Sequence, residues 1–164
     1  MIAFLGVNNS IKAQYFSENQ PFNLGFDVSI GTTTKNSPFG YALGLDLLLT
    51  TVLSDRLSTT ASLGYTRLLT KDTSPIADYD FIPLKGALKI FPTSTNIYLT
   101  ALIGAGFGIQ KGVRTSFLFG GGAGYQWEKD YDVSLKYEGY QQSMKSTTYQ
   151  PLNGQFALTF TYYF

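Results

Sequence analysis

The chain contains no cysteine and no histidine. The first absence rules out a disulfide framework, a thiolate metal site and a thiol nucleophile. The second removes Ser-His-Asp chemistry and most transition-metal sites. Charge is also scarce: Asp, Glu, Lys and Arg together make up 14% of 164 residues. Soluble domains carry about 25%. The net charge of +1 and a pI near 7.8 give no electrostatic footprint for a nucleic-acid partner. Runs of about 18 apolar residues, which a membrane helix needs, are missing as well.

What is abundant is aromatic: Phe, Tyr and Trp reach 16%, while mean hydropathy is 0.00. A closed barrel in a membrane reconciles these values. Its strands alternate lipid-facing apolar residues with small or polar lumen residues, so the average cancels.

Period-two alternation recurs in eight runs after residue 20. The first sets Phe22, Leu24, Phe26, Val28 and Ile30 against Asn23, Gly25, Asp27 and Ser29. The second sets Tyr41 through Leu49, at odd positions, against Ala42, Gly44 and Asp46. Further runs place Ala61, Leu63 and Tyr65, then Ile82, Leu84 and Leu88, then Leu99, Ile103 and Phe107 outward. The last three do the same with Phe117, Tyr125 and Trp127, with Val133, Leu135 and Tyr137, and with Phe156, Leu158, Phe160, Tyr162 and Phe164. Each run is about ten residues, the length a tilted strand needs to cross a bilayer.

The connections sort by length. Leu53–Arg56, Pro92–Thr95 and Glu128–Asp130 are short; Thr32–Pro38, Thr70–Asp80 and Gln141–Asn153 are long and polar; Gln110–Arg114 is intermediate. Short turns at one end and long loops at the other are the periplasmic and extracellular ends of an outer-membrane barrel. The expected fold is therefore all-β, an eight-stranded antiparallel up-and-down transmembrane β-barrel over residues 21–164. Residues 1–13, with Ile2, Phe4, Leu5 and Val7 before Lys12-Ala13-Gln14, have the pattern of a truncated signal-peptide remnant cut after Ala13, and 14–20 that of a periplasmic lead-in. A first strand or an N-terminal plug is the alternative.

Seven charges fall on inward positions: Asp27, Asp46, Asp132 and Glu138 against Lys85, Lys89 and Lys136. A transport path or an acid–base pair would use such groups. An ion-paired plug in a narrow lumen uses them equally well, and charges removed from water are normally paired. Inward glycines, such as Gly64, Gly104, Gly122 and Gly124, make room for larger side chains opposite. The stretches 104–108 and 120–124 lack the G-x-G-x-x-G order and a following helix, so they carry no nucleotide signal. Arg67 lies on an outward position near a loop end, where it would snorkel to headgroups or meet a lipopolysaccharide phosphate.

Several segments together carry a resemblance: Phe81-Ile82-Pro83-Leu84 leading to Gly86-Ala87-Leu88-Lys89, Gly122-Ala123-Gly124-Tyr125, Leu135-Lys136-Tyr137-Glu138-Gly139, and the final Phe160-Thr161-Tyr162-Tyr163-Phe164. In this order the chain resembles the small OmpA/OmpX-type outer-membrane β-barrel domains. The resemblance implies a bacterial outer-membrane location and contact with membrane lipid and lipopolysaccharide. It also implies an assembly signal at Phe160, Tyr162 and Phe164, read by the barrel-assembly machinery. It implies no cofactor and no particular activity. The expected role is structural or surface-interacting through the extracellular loops, with an unidentified extracellular ligand and no enzymatic reaction. The best candidate contact surface is Gln141–Asn153, with Met144, Lys145, Tyr149 and Pro151. A narrow passive channel is the alternative within the same fold, and a soluble lipid-binding barrel, with its apolar residues inward, the alternative outside it.

Overall fold

A computed structural model describes residues 22–35, 37–71, 77–92, 96–110, 115–127, 130–142 and 152–164. The leader reading of 1–13, the lead-in 14–20 and most of the candidate contact surface within 141–153 lie outside these residues. The described chain forms β1 (Asn23–Thr33), β2 (Phe39–Ser54), β3 (Leu57–Thr70), β4 (Tyr79–Ile90), β5 (Ile97–Gly108), β6 (Ser116–Trp127), β7 (Tyr131–Gln142) and β8 (Leu152–Tyr163). Each strand pairs antiparallel with the next, and β8 returns to pair with β1, closing a barrel. Closure leaves no unpaired sheet edge.

The faces follow the alternation. Leu24, Ile30, Leu45, Leu47, Ile103, Leu135 and Leu158 are each more than half exposed on the outside. Asp27, Asp46, Thr60, Thr100, Asp132, Ser134 and Thr159 are buried inside. This is the inverse of a soluble lipid-binding barrel, and it sets that alternative aside. No helix among the described residues is long and apolar enough to cross a membrane, and the strands take that role in a barrel.

The structure departs from the sequence reading in a strand boundary and in the filling of the lumen. Leu53 and Ser54 belong to β2 rather than to the turn, which consists of Asp55 and Arg56. The β2–β3 hairpin runs on past the start of β1, whose register with β2 begins at Asn23↔Thr50, and a register shift between Val52 and Ser54 lets the long ribbon turn. The two strands thus reach 16 and 14 residues.

The second difference concerns the lumen. At the loop end it is apolar: Phe39, Ala42, Leu68, Tyr79, Phe81, Leu118 and Tyr140 form one buried cluster. Phe81 stacks on Tyr79 at 5.2 Å between centroids and meets Tyr140 edge-on at 5.3 Å. Phe39 shares odd parity with the outward Tyr41 yet is 1% exposed, because a register shift between the two residues turns it inward.

Candidate functional site: the charged lumen

Below the aromatic layer the seven inward charges meet. β1 and β2 place Asp27 and Asp46 directly opposite each other, a pairing of like charges that opposes sheet formation unless each finds a cation. Each does. Lys85 Nζ on β4 reaches Asp46 Oδ2 at 2.7 Å and Glu138 Oε1 on β7 at 3.4 Å, bridging the lumen. Lys136 Nζ lies 3.6 Å from Asp27 Oδ2, and the Thr161 hydroxyl donates to the other oxygen of that carboxylate. Glu138 Oε2 accepts from Tyr140 Oη at 2.8 Å and Gln155 Nε2 at 3.0 Å.

A second layer lies nearer the turns. Lys89 is paired with Asp132, which is 0% exposed, and donates to Tyr163 Oη at 2.8 Å. Tyr98 Oη donates to the remaining Asp132 oxygen at 2.5 Å, and the Lys89 ammonium lies 4.5 Å from the Tyr98 ring centroid. Lys89 thus combines an ion pair with a cation–π contact.

Register explains how so narrow a tube holds these side chains. Lys85 faces Gly104 on the neighbouring strand, Lys136 faces Gly122, Glu138 faces Gly120, Asp46 faces Gly64 and Tyr98 faces Gly124. A Cβ at Gly124 would collide with the Tyr98 ring, and one at Gly64 with the Asp46 carboxylate. An eight-stranded interior is only just wide enough to be filled by side chains, so each large group lies over a neighbour that has none. Between the two charged layers is a cavity of about 30 Å³ touched by Asp27, Lys85, Lys89, Lys136, Glu138 and Tyr163. That is room for about one or two waters.

All seven charges identified in the sequence are therefore brought together in two layers. The sequence reading did not assign Tyr98, Tyr140, Gln155, Thr161 and Tyr163 to the network. Inward parity marks these positions, but which hydroxyl reaches which carboxylate depends on the stagger of strands around the closed barrel. No cluster of metal-ligating side chains occurs among the described residues.

On the final strand Phe156, Phe160 and Tyr162 point outward, whereas Tyr163 points into the lumen. Tyr162 packs on Phe26 at 5.8 Å and Tyr131 at 5.3 Å, and Phe160 packs on Trp127 at 6.2 Å. Phe164 is 67% exposed, and its amide donates to the Leu24 carbonyl at 3.0 Å.

Arg67 lies on the outer wall with a partner the sequence reading did not assign. Its Nη2 is 2.7 Å from Asp78 Oδ2. The Thr70 amide, together with this guanidinium, holds the Asp78 carboxyl below the usual carboxylate range.

No protein-family model matches the chain, and no curated protein sequence matches it. Solved structures do. The N-terminal β-barrel domain of Pseudomonas aeruginosa OprF matches with a TM-score of 0.60 at 14% identity, over 88% of this chain and 98% of that one. The Yersinia pestis outer membrane protein Ail, in a phospholipid bilayer nanodisc, matches with 0.55 at 17%, over 85% and 99%. Ail has also been crystallised in complex with the heparin analogue sucrose octasulfate. The de novo designed TMB2.3 matches with 0.56 at 16%, over 89% and 97%. A natural attachment invasion locus protein and a designed chain on one scaffold illustrate that the fold does not dictate an activity. The architecture of this chain is that of the small, closed, eight-stranded barrels of bacterial outer membranes.

Proposed function

We propose that the chain is an integral protein of the bacterial outer membrane, structural or surface-interacting in role, with a sealed lumen. The supporting observation is the pairing of an apolar outer wall with an interior that satisfies its own charges. A wall on which Leu45, Leu47 and Ile103 are 54%, 67% and 64% exposed is unfavourable in water and favourable in lipid. The interior needs no solvent stream to stay charged, since each lysine has a carboxylate. Interaction then falls to the connections at the loop end, and the Ail complex with a sulfated sugar is an instance of a barrel of this shape holding a ligand. The reading contains no enzymatic step and no cofactor.

Membrane lipid, including lipopolysaccharide, contacts the wall in this reading, and the outward Phe160, Tyr162 and Phe164 serve as the signal for the barrel-assembly machinery. Deleting Phe164 lowers the amount inserted in cells while refolding into detergent changes little; normal cellular levels of the truncated form contradict the signal role. A narrow passive channel is the second reading. The charged layers and the small cavity between them favour it, and the aromatic layer at the loop end opposes it. The membrane assignment is tested on a denaturing gel. A closed barrel stays folded in cold detergent, so unboiled and boiled samples migrate differently. Recovery as a monomer soluble in detergent-free buffer contradicts the reading.

A further inference from the structure

The loop end of the lumen is closed in part by a piece of chain that the strand ladder holds on one side only. β1 and β2 are last paired at Thr32↔Tyr41, so Phe39 lies beyond their ladder and has its register partner in β3, at Thr70. Ser37 and Pro38 lead into it from the β1–β2 connection. Ser37 and Phe39 are nonetheless buried, and the Phe39 ring lies 6.2 Å from that of Tyr79 in the aromatic layer.

Lys71, the residue after β3, supplies most of the hold. Its amide donates to the Pro38 carbonyl at 3.2 Å, and its Nζ donates to the Ser37 carbonyl at 2.8 Å and the Lys35 carbonyl at 3.5 Å. On the far side the Thr34 amide donates to the Gly154 carbonyl of β8 at 2.7 Å. These bonds lie outside the strand pairing, so releasing them breaks no rung of the barrel. Lys71 also differs from the lumen lysines. Lys85, Lys89 and Lys136 each meet a carboxylate, whereas the Lys71 ammonium meets only carbonyls among the described residues. A half-buried bond of that kind is exchanged for water at a modest cost. Gly40 sits in the register shift between Phe39 and Tyr41, the sort of strand-end position that absorbs a hinge motion.

We propose that Ser37, Pro38 and Phe39 form a hinged lid on the loop end of the lumen, latched by Lys71, which opens while the barrel stays paired. The inference rests on the sealed-lumen reading and makes the seal at this end one that local opening releases. The filling toward the turns is built differently. Lys89, Tyr98, Asp132 and Tyr163 all occupy paired strand positions, so uncovering them requires strands to part. Opening of the lid bares the apolar layer around Ala42, Tyr79 and Phe81 and leaves the charged layers closed.

The chain has no cysteine, so a single introduced thiol reports local access without background. Ala42→Cys and Ser116→Cys place it under the lid, and Ser134→Cys places it deeper in the lumen; all three parent residues are buried. Each refolded barrel is treated in detergent with a water-soluble maleimide, after its gel shift has shown that it is folded. With Lys71 in place the two thiols under the lid react slowly. In Lys71→Met they react at least about tenfold faster, the loss of one charge-assisted hydrogen bond read as an opening equilibrium. Lys71→Arg keeps them slow, and Ser134→Cys stays slow throughout. Should Ala42→Cys fail to fold, the near-isosteric Ser116→Cys carries the test. Unchanged rates under the lid in Lys71→Met overturn the latch. A parallel rise at Ser134→Cys overturns it too, because the whole barrel has then loosened. Seal and latch fail differently: with Lys71 in place, thiols under the lid that react as fast as a free thiol contradict the sealed lumen itself and take the lid with it.

Discussion

The two ends of the lumen solve the same filling problem with different chemistry. At the loop end Phe39, Leu68, Phe81 and Leu118 are each 1% exposed or less, and the space is filled by rings and aliphatic chains. Toward the turns it is filled by Lys85, Lys89, Lys136 and their carboxylates, with Thr, Ser and Tyr hydroxyls around them. The loop-end layer gains by excluding water and asks nothing of its neighbours but shape. The charged layers gain only when every member has its partner, because an ion left unpaired away from water costs more than the pair contributes. One end should therefore tolerate reshaping in proportion to volume lost, while the other should fail abruptly when one partner is deleted.

The largest effect expected is at Lys89. Lys89→Ala strands the fully buried Asp132 and should cost about 3–5 kcal/mol, read from urea unfolding of the refolded protein followed by Trp127 fluorescence. The double replacement Lys89→Met with Asp132→Leu should regain most of that loss, since an apolar pair of similar volume replaces an ion pair at little net cost. A double variant as unstable as the single one breaks the distinction between the two ends.

Leu118→Ala, in the loop-end layer, should cost about 2–4 kcal/mol through lost burial and the space left behind. Its loss should be the same at low and high salt. A salt-dependent loss would mean that the aromatic layer acts through the charges beneath it.

The smallest effect expected lies outside the lumen, at Asp78. Its carboxyl is held below the usual range by the Thr70 amide and Arg67, so its contribution is present above the ordinary aspartate pKa of 3.8 and disappears as pH falls through the lower folded value. Asp78→Asn should differ slightly from wild type at neutral pH and converge with it in acid, once the Asp78 carboxyl is protonated in the folded state as well. A gap that widens in acid would reverse the sign and contradict the pairing.

Strand number, strand facing and the inward position of all seven charges were legible in the chain, because period-two alternation is a local property. The residues facing Lys85, Lys136 and Tyr98 across the sheet, namely Gly104, Gly122 and Gly124, were legible as small but not as partners. Partnership depends on register, and register is set by the closure of eight strands at once. The loop-end layer could be read in part. Leu68, Phe81, Leu118 and Tyr140 sit on inward parity, whereas Phe39 does not, because the register shift before Tyr41 inverts it. Arg67 marked the end of the apolar wall in the sequence, but its partner Asp78 is 11 residues away across a loop connection, beyond the reach of alternation.

The central claim is that this wall faces lipid and this lumen is shut. Conductance of the refolded protein in a planar bilayer tests both parts together, with insertion verified by the gel shift of the same preparation. The account predicts an inserted barrel with no steady ion current, because the aromatic layer closes one end and paired charges fill the rest. A robust, reproducible current from the wild-type barrel contradicts it and makes the narrow channel the correct reading.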